Sequence, residues 1–291
     1  MSSIGIDLGA KNIVAAEPSE FGVRTIDIED RRAMRSAVSF EPGDDEVIVG
    51  HLAADLLDTH PDLTISSVRR YVELDSEFTI NDGSYTKTTY ASEEIMALVL
   101  KKLRREVDDS LGESPDTAVI SVPANFGATA RSATKRAAEI AGFDAVRLAP
   151  KPSAVCAACG LGDRDDDTEH TVVYDFGDSF DISLVDTSYG DGSYDVIAID
   201  GRRDLGDDFD RELSEWIIRK IESETGETIS DDRSKRRQVR QKIEIIKQQL
   251  SERESATFRD AGAIVDQSFE FTVTRERFAE LTADPVDRSI E

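Results

Sequence analysis

Two short acidic turns carry the chemistry that this sequence offers. Near its start, Ile4-Gly5-Ile6-Asp7-Leu8-Gly9-Ala10-Lys11-Asn12 reads as a strand, an Asp-x-Gly turn and a return strand from Ile13 to Ala16. In the second half, Val173-Tyr174-Asp175-Phe176-Gly177-Asp178-Ser179-Phe180-Asp181-Ile182 repeats that plan. The backbone N–H groups at such a tip form a concavity suited to an anion. Its Asp repels a bare phosphate but can hold a hydrated Mg²⁺ that bridges to one. One tip alone is ordinary turn chemistry, because Asp and Gly favour turns whatever they bind. Two of them, one opening each half, point to duplicated lobes that clamp a nucleotide, with Asp7 and Asp175 on opposite sides of the metal. Phosphoryl transfer needs mainly positioning and charge neutralisation, which two clamps supply. A duplicated turn without a ligand is the alternative on pattern alone.

The elements around the tips read as α/β. Val23 to Ile28 and Ser36 to Phe40 are strands, and His51 to Thr59 and Ile65 to Val72 are short helices. Thr79 to Tyr90 alternates about Asn81-Asp82-Gly83-Ser84, as a hairpin does. A long helix follows, with Ser92 as its N-cap, Glu93 and Glu94 in the first turn, and Gly112 at its end. Thr117 to Val122 is an apolar strand, Ala128 to Ala141 a helix, and Ser153 to Cys159 another. The acidic stretch from Gly160 to His170 has no periodicity and marks a boundary, giving lobe I over 1–162 and lobe II over 171–291. Beyond it, Asp231 to Gln249 is a charged helix whose apolar stripe is Val239, Ile243, Ile246 and Leu250. Thr274 caps a last helix, with Glu276 in its first turn.

Composition narrows the partners. Asp and Glu number 60 against 35 Lys and Arg, a formal charge of -25. Such a surface repels nucleic acid and anionic membranes. Regular patterning excludes a disordered chain and fits a halophile-type acidic surface, whose self-repulsion molar salt screens. Cys156 and Cys159 are spaced as a redox or metal half-site, but no second pair exists, and both fit core packing in an Ala-rich helix. With no signal peptide and no membrane-length apolar run, the expected compartment is the cytoplasm.

Several motifs now agree in order along the whole chain. They are Gly5-Ile6-Asp7-Leu8-Gly9, Ala118-Val119-Ile120-Ser121-Val122-Pro123-Ala124, Asp175-Phe176-Gly177 with Phe180-Asp181-Ile182-Ser183, Leu205-Gly206 with Asp208-Phe209-Asp210, and Val286 to Glu291. With these the sequence resembles the ATPase domain of the DnaK-type heat-shock chaperones, of the actin and sugar-kinase fold. The resemblance implies a two-lobed actin-like ATPase fold, a ribonuclease-H-like mixed sheet in each lobe, and ATP or ADP with Mg²⁺. It implies that Asp7 and Asp175 face the metal through water and that Asp181 helps place the attacking water. Gly9, Gly177 and Gly206 stand at loop glycines, where a side chain would hold a phosphate off. Glu244, Lys247 and Ser251 match positions that hold the adenosine.

The sequence also departs from that family. Ala10-Lys11 replaces two threonines, removing a hydroxyl near the γ-phosphate and adding a charge that either binds phosphate or points outward. Asp178-Ser179 stands where the family has two further glycines and a threonine, and an acid there repels phosphate oxygens. Arg69 aligns with the family's catalytic lysine, a rigid fork in place of a compact charge. Pro150-Lys151-Pro152-Ser153 replaces Asn-Glu-Pro-Thr, so Lys151 reverses the charge of a coupling glutamate. The family continues beyond the point matched by Glu291 with the rest of the second lobe and a peptide-binding domain. An incomplete second lobe is therefore expected, with a protein partner covering bare surface. These features imply nucleotide binding with weak or absent ATP hydrolysis. The alternatives are a nucleotide-independent interaction module or regulatory partner, a fragment of a longer chain, and a sugar kinase.

Overall fold

The computed structural model describes residues 2–20, 22–41, 47–57, 59–80, 88–161, 170–177, 179–188, 192–202, 205 and 208–290. Its first elements are β1 (Ser3–Leu8), β2 (Asn12–Ser19), β3 (Gly22–Ile26), β4 (Met34–Arg35), β5 (Ala37–Phe40), β6 (Val47–Val49), α1 (His51–Leu56), β7 (Thr64–Ser66) and α2 (Val68–Glu73). β8 (Glu77–Ile80), β9 (Thr88–Ala91), α3 (Ser92–Leu111), β10 (Thr117–Val122), α4 (Ala128–Ile140), β11 (Ala145–Pro150) and α5 (Lys151–Ala158) follow. The remainder is β12 (His170–Phe176), β13 (Phe180–Asp186), β14 (Asp195–Arg202), α6 (Asp208–Thr225), α7 (Arg233–Glu252), β15 (Ser255–Ala261), β16 (Ser268–Thr274), α8 (Arg275–Leu281) and α9 (Ala283–Ile290). Packing divides the chain into two units, Met1–Val173 with Ser183–Ile199 and Tyr174–Ile182 with Asp200–Glu291. β12, β13 and β14 form a three-stranded sheet in that order.

The first unit is organised on a mixed sheet of order β11-β10-β1-β2-β3, with β4 also paired to β2. β1, β10 and β11 run parallel, and β2 and β3 are antiparallel additions. This is the mixed sheet expected of the first lobe. Side chains alternate between faces, so β1 buries Ile4, Ile6 and Leu8 while Gly5 and Asp7 take the opposite face. β10 keeps step, burying Ala118, Ile120 and Val122 and leaving Ser121 beside Asp7. The buried face joins Ile95, Met96, Leu100 and Leu103 of α3 in one core.

Three local expectations change here. The segment from Ile65 to Val72 is a strand followed by a helix. β7 is drawn into pairing with β5, and Ser67, in the left-handed region at φ 58°, separates the two. Ser92 is the first helical residue of α3 and is buried, so Ala91 is the N-cap. The Glu94 carboxylate reaches back to accept the Ala91 N–H at 2.8 Å, the half of a capping box that the third helical residue supplies. Cys156 is buried as expected, but Cys159 is exposed, because α5 turns only one side inward and ends at Ala158. β8 and β9 pair as a hairpin, whose turn at 81–84 lies outside the described residues.

The second unit packs α6 and α7 on the β15–β16 hairpin. Leu213, Ile217 and Ile221 of α6 meet Phe258 of β15 and the expected stripe of α7, Val239, Ile243, Ile246 and Leu250, all buried. Asp232 caps α7 by accepting the Lys235 N–H at 3.0 Å, and Thr274 caps α8 by accepting the Arg277 N–H at 3.1 Å. Asp260 is wholly buried, and its Oδ2 accepts the N–H groups of Ile264 at 2.9 Å, Gly262 at 3.3 Å and Val265 at 3.4 Å, which shapes the hairpin turn.

Candidate functional site

In the first unit the site lies at the carboxyl ends of the parallel strands, where open α/β sheets present their ligand crevices. Register brings it together. Asp7 of β1 pairs with Ser121 of β10, Ser121 pairs with Ala149 of β11, and Lys151 opens α5 directly after β11. The Ser121 hydroxyl donates to Asp7 Oδ1 at 2.6 Å. Lys151 Nζ lies 3.0 Å from the same oxygen. The Asp7 side chain is 55% exposed and that of Lys151 is 21% exposed, so the pair faces solvent on the acid's side.

The Gly9-Ala10-Lys11 turn is fixed by its own backbone. A Cβ on Gly9 would overlap the Asn12 carbonyl oxygen and sit 3.4 Å from the carbonyl carbon. The chain folds back so closely that glycine is required there by the turn itself. The Ala10 methyl is buried at 1% exposure, so it packs inward rather than lining an opening. Lys11 is exposed. Its carbonyl accepts the Ser36 N–H at 3.0 Å, and the Ser36 carbonyl accepts the Ser67 N–H at 2.9 Å. That ladder ties the turn to α2, which carries the buried Arg69. Arg35 adds a guanidinium to the same neighbourhood, donating to Asn12 Oδ1 at 3.2 Å.

In the second unit, Asp175 is exposed at the end of β12 and Gly177 N–H donates to the Ser179 carbonyl at 2.9 Å, closing the turn. The Ser179 hydroxyl donates to Asp181 Oδ2 at 2.9 Å. A Cβ on Gly177 would meet only Asp175 Oδ1, at 3.8 Å, an ordinary contact. Gly201 of β14 is more demanding, because its Cβ would overlap the Phe180 carbonyl oxygen and lie 3.0 Å from Asp181 Oδ1. Phe176 packs edge-on against Phe209 of α6 at 4.7 Å, and Tyr174 against Phe180 at 4.6 Å, which holds this tip in place. On α7, Lys247 Nζ donates to Asp210 Oδ1 at 2.5 Å and the Ser251 hydroxyl donates to the Lys247 carbonyl at 3.0 Å. Glu244 is exposed one turn away. Asp178 and Gly206 lie outside the described residues.

The structure thus joins Asp7 to Lys151 and Ser121, and separately gathers Gly177, Ser179 and Asp181. Sequence reasoning singled out Lys151 as a reversed charge but not its contact with Asp7, and it gave no role to Ser121, Arg35 or Gly201. The signal for Ser121 was its motif, at the open-face position just before the end of an apolar strand. Its partner 114 residues away is set by sheet register, which one sequence does not reveal.

Magnesium fits this first tip poorly. The ion takes oxygen ligands, commonly one or two carboxylates with waters and phosphates. Asp7 already receives an ammonium and a hydroxyl on one oxygen, and a second cation there would face Lys151 at close range. Among the described residues no group of three or more His, Cys, Asp or Glu is placed to hold a metal, and no helix is long and apolar enough to cross a membrane.

A family model described as Hsp70 protein matches residues 3–291. The chain belongs to the Hsp70 family and is an Hsp70-type nucleotide-binding domain with the actin-like ATPase fold.

Proposed function

We propose that this Hsp70-family chain binds ATP or ADP and hydrolyses ATP weakly or not at all. The observation that carries this reading is the Lys151–Asp7 pair. It leaves the first turn with an acid whose charge is matched in place, at the position where the family resemblance implies a metal-side acid. The turn keeps Gly9, Lys11 and a nearby Arg35, a basic neighbourhood suited to phosphate in a chain of charge -25. Other parts needed for turnover are altered. Ala10 has no hydroxyl and is buried, and Arg69 stands in place of the family's lysine. Asp181, which accepts the Ser179 hydroxyl, is the proposed group that orients water, and Gly177 is the proposed phosphate-side glycine of the second turn. Asp175 is the proposed metal-side acid of the second turn. Glu244, Lys247 and Ser251 share one face of α7 and are the proposed adenosine contacts. Lobes over 1–162 and 171–291, and a cytoplasmic setting, belong to the same reading.

A second reading has its own support. Val172, Ile197 and Ile199 are 59%, 52% and 43% exposed on β12 and β14, which favours a protein partner that covers this apolar strand surface.

Thermal denaturation in molar KCl tests the first reading. At a nucleotide concentration of about 100 times Kd, binding stabilises by about 2.7 kcal/mol, a rise of about 5–10 °C for a domain of this size. No rise with millimolar ATP or ADP, with or without Mg²⁺, refutes nucleotide binding. Phosphate release measured on the same sample tests for turnover, and a rate like that of an efficient kinase, about 1–100 per second, refutes weak hydrolysis.

A further inference from the structure

The metal side of Asp7 is occupied by a covalently attached cation. We infer that Lys151 takes the place of magnesium at the first phosphate turn, so that nucleotide binds this chain equally well with and without a divalent ion. The inference deepens the nucleotide reading and rests on it for its ligand.

Three observations carry it. Lys151 Nζ sits 3.0 Å from Asp7 Oδ1, the oxygen that also accepts the Ser121 hydroxyl. The position of Lys151 is set by secondary structure. It is the first residue of α5, immediately after Pro150, whose strand is in parallel register with β10, and β10 is in register with β1. Pro152 is buried beneath it and Pro150 has φ -59°, so the backbone on both sides of Lys151 is conformationally restricted. The aliphatic stem therefore starts from a fixed point at the strand ends, and its ammonium lies within ion-pair distance of the acid. An ammonium has three donors and no acceptor. It can bond Asp7 and still point a donor toward a phosphate oxygen, which is the bridging task that Mg²⁺ otherwise performs.

The alternative is that Lys151 swings aside when Mg²⁺–nucleotide arrives, leaving Asp7 to the ion. The two differ in linkage. Where metal and nucleotide depend on each other, their coupling is commonly about 5- to 150-fold in affinity.

The test uses the whole chain, a fluorescent ADP analogue, and titrations in EDTA and in excess Mg²⁺ at fixed ionic strength. The wild type should show dissociation constants within about twofold of each other in the two conditions, below the usual range for coupled ligands. Lys151→Ala should weaken binding by about tenfold in EDTA and regain most of it with Mg²⁺, the ion now filling the vacated place. Lys151→Arg keeps the charge and should stay independent of metal. Wild-type binding that appears only with Mg²⁺, or a Lys151→Ala chain indistinguishable from wild type, overturns the inference.

A second arm needs no nucleotide. Uptake of Mn²⁺ is followed by its paramagnetic resonance in 1 M KCl, which suppresses binding to the acidic surface at large. Lys151→Glu should take up Mn²⁺ at least about tenfold more tightly than wild type, and adding Asp7→Asn should abolish that gain. Equal uptake by wild type and Lys151→Glu overturns the inference. If ADP fails to bind under any condition while this arm behaves as expected, the nucleotide reading fails and the assignment of Lys151 as the cation of Asp7 stands.

Discussion

Glycine at the two tips has two competing explanations, and substituting each separates them. If Gly9 and Gly177 are kept only to let a phosphate approach, Gly9→Ala and Gly177→Ala should both fold normally and both lose nucleotide. The geometry says otherwise. At Gly9 a methyl would overlap the Asn12 carbonyl oxygen and stand 3.4 Å from its carbon, and these are backbone atoms with no rotamer to yield. At Gly177 the nearest atom is a carboxylate oxygen at 3.8 Å. Forcing a methyl into a packed site costs about 1–3 kcal/mol, and reduced freedom of the unfolded chain returns about 0.4–1 kcal/mol. Gly9→Ala is therefore expected to lose a net 1–2 kcal/mol or so, about 2–8 °C in melting temperature for a domain of this size. Gly177→Ala should stay within about 1 °C of wild type or rise slightly. Far-UV circular dichroism without nucleotide gives the two midpoints, and titration with ADP then gives the binding loss of each. A Gly9→Ala protein as stable as wild type, or a Gly177→Ala protein that loses as much, would refute the steric reasoning.

Three further outcomes follow from interactions away from the tips. Asp260→Ala removes the acceptor of the Gly262 N–H and of the buried N–H groups of Ile264 and Val265 and should cost about 2–3 kcal/mol, read as a lower urea midpoint. The Glu222 carboxylate is held below the ordinary glutamate range by the N–H groups of Ser230 and Ile229, each at 2.8 Å. A lowered folded value means that its stabilisation is full above the unfolded value of about 4.3 and disappears as pH falls through the folded one. Glu222→Gln should therefore flatten the acid limb of a stability–pH curve, by under about 1 kcal/mol after solvent screening. Burial raises the Cys156 thiol while Cys159 is exposed, so a thiol reagent at pH 8 should react quickly at one cysteine and at the other only on unfolding. Cys159→Ser should remove the fast phase.

Much of the fold was legible because it is written in local periodicity. The α7 stripe of Val239, Ile243, Ile246 and Leu250 is the buried set without exception, since a 3.6-residue repeat in a charged helix has one solution. Short apolar runs were harder. Ile65 to Val72 contains enough apolar residues for a helix, and only pairing with Ala37 and Val38 makes its first part a strand. Ser92 has the residue type of an N-cap, yet tertiary packing buries it and shifts the cap one residue back to Ala91. At the site, the acids and glycines could be named from sequence, but their partners could not. Asp7, Ser121 and Lys151 are brought together by two parallel registers, and register is a property of the folded sheet.

The two tips, alike as sequence, are unlike as structure. In the first, the glycine is demanded by a carbonyl at close range, the acid is matched by a lysine and a hydroxyl, and the following alanine is part of the core. In the second, the glycine has room for a methyl, the leading acid is exposed, and the hydroxyl after it serves Asp181 instead. A repeated Asp-x-Gly is therefore a statement about turn geometry and common plan, and each copy takes its chemistry from what the neighbouring strands deliver to it. Phosphoryl transfer is sensitive to that difference, because its catalysis is almost wholly positioning and charge. Lys151 matches the charge at Asp7 from a position that strand register sets. On the proposed reading a chain altered in that way keeps its grip on phosphate, and turnover is the property it is expected to lose first.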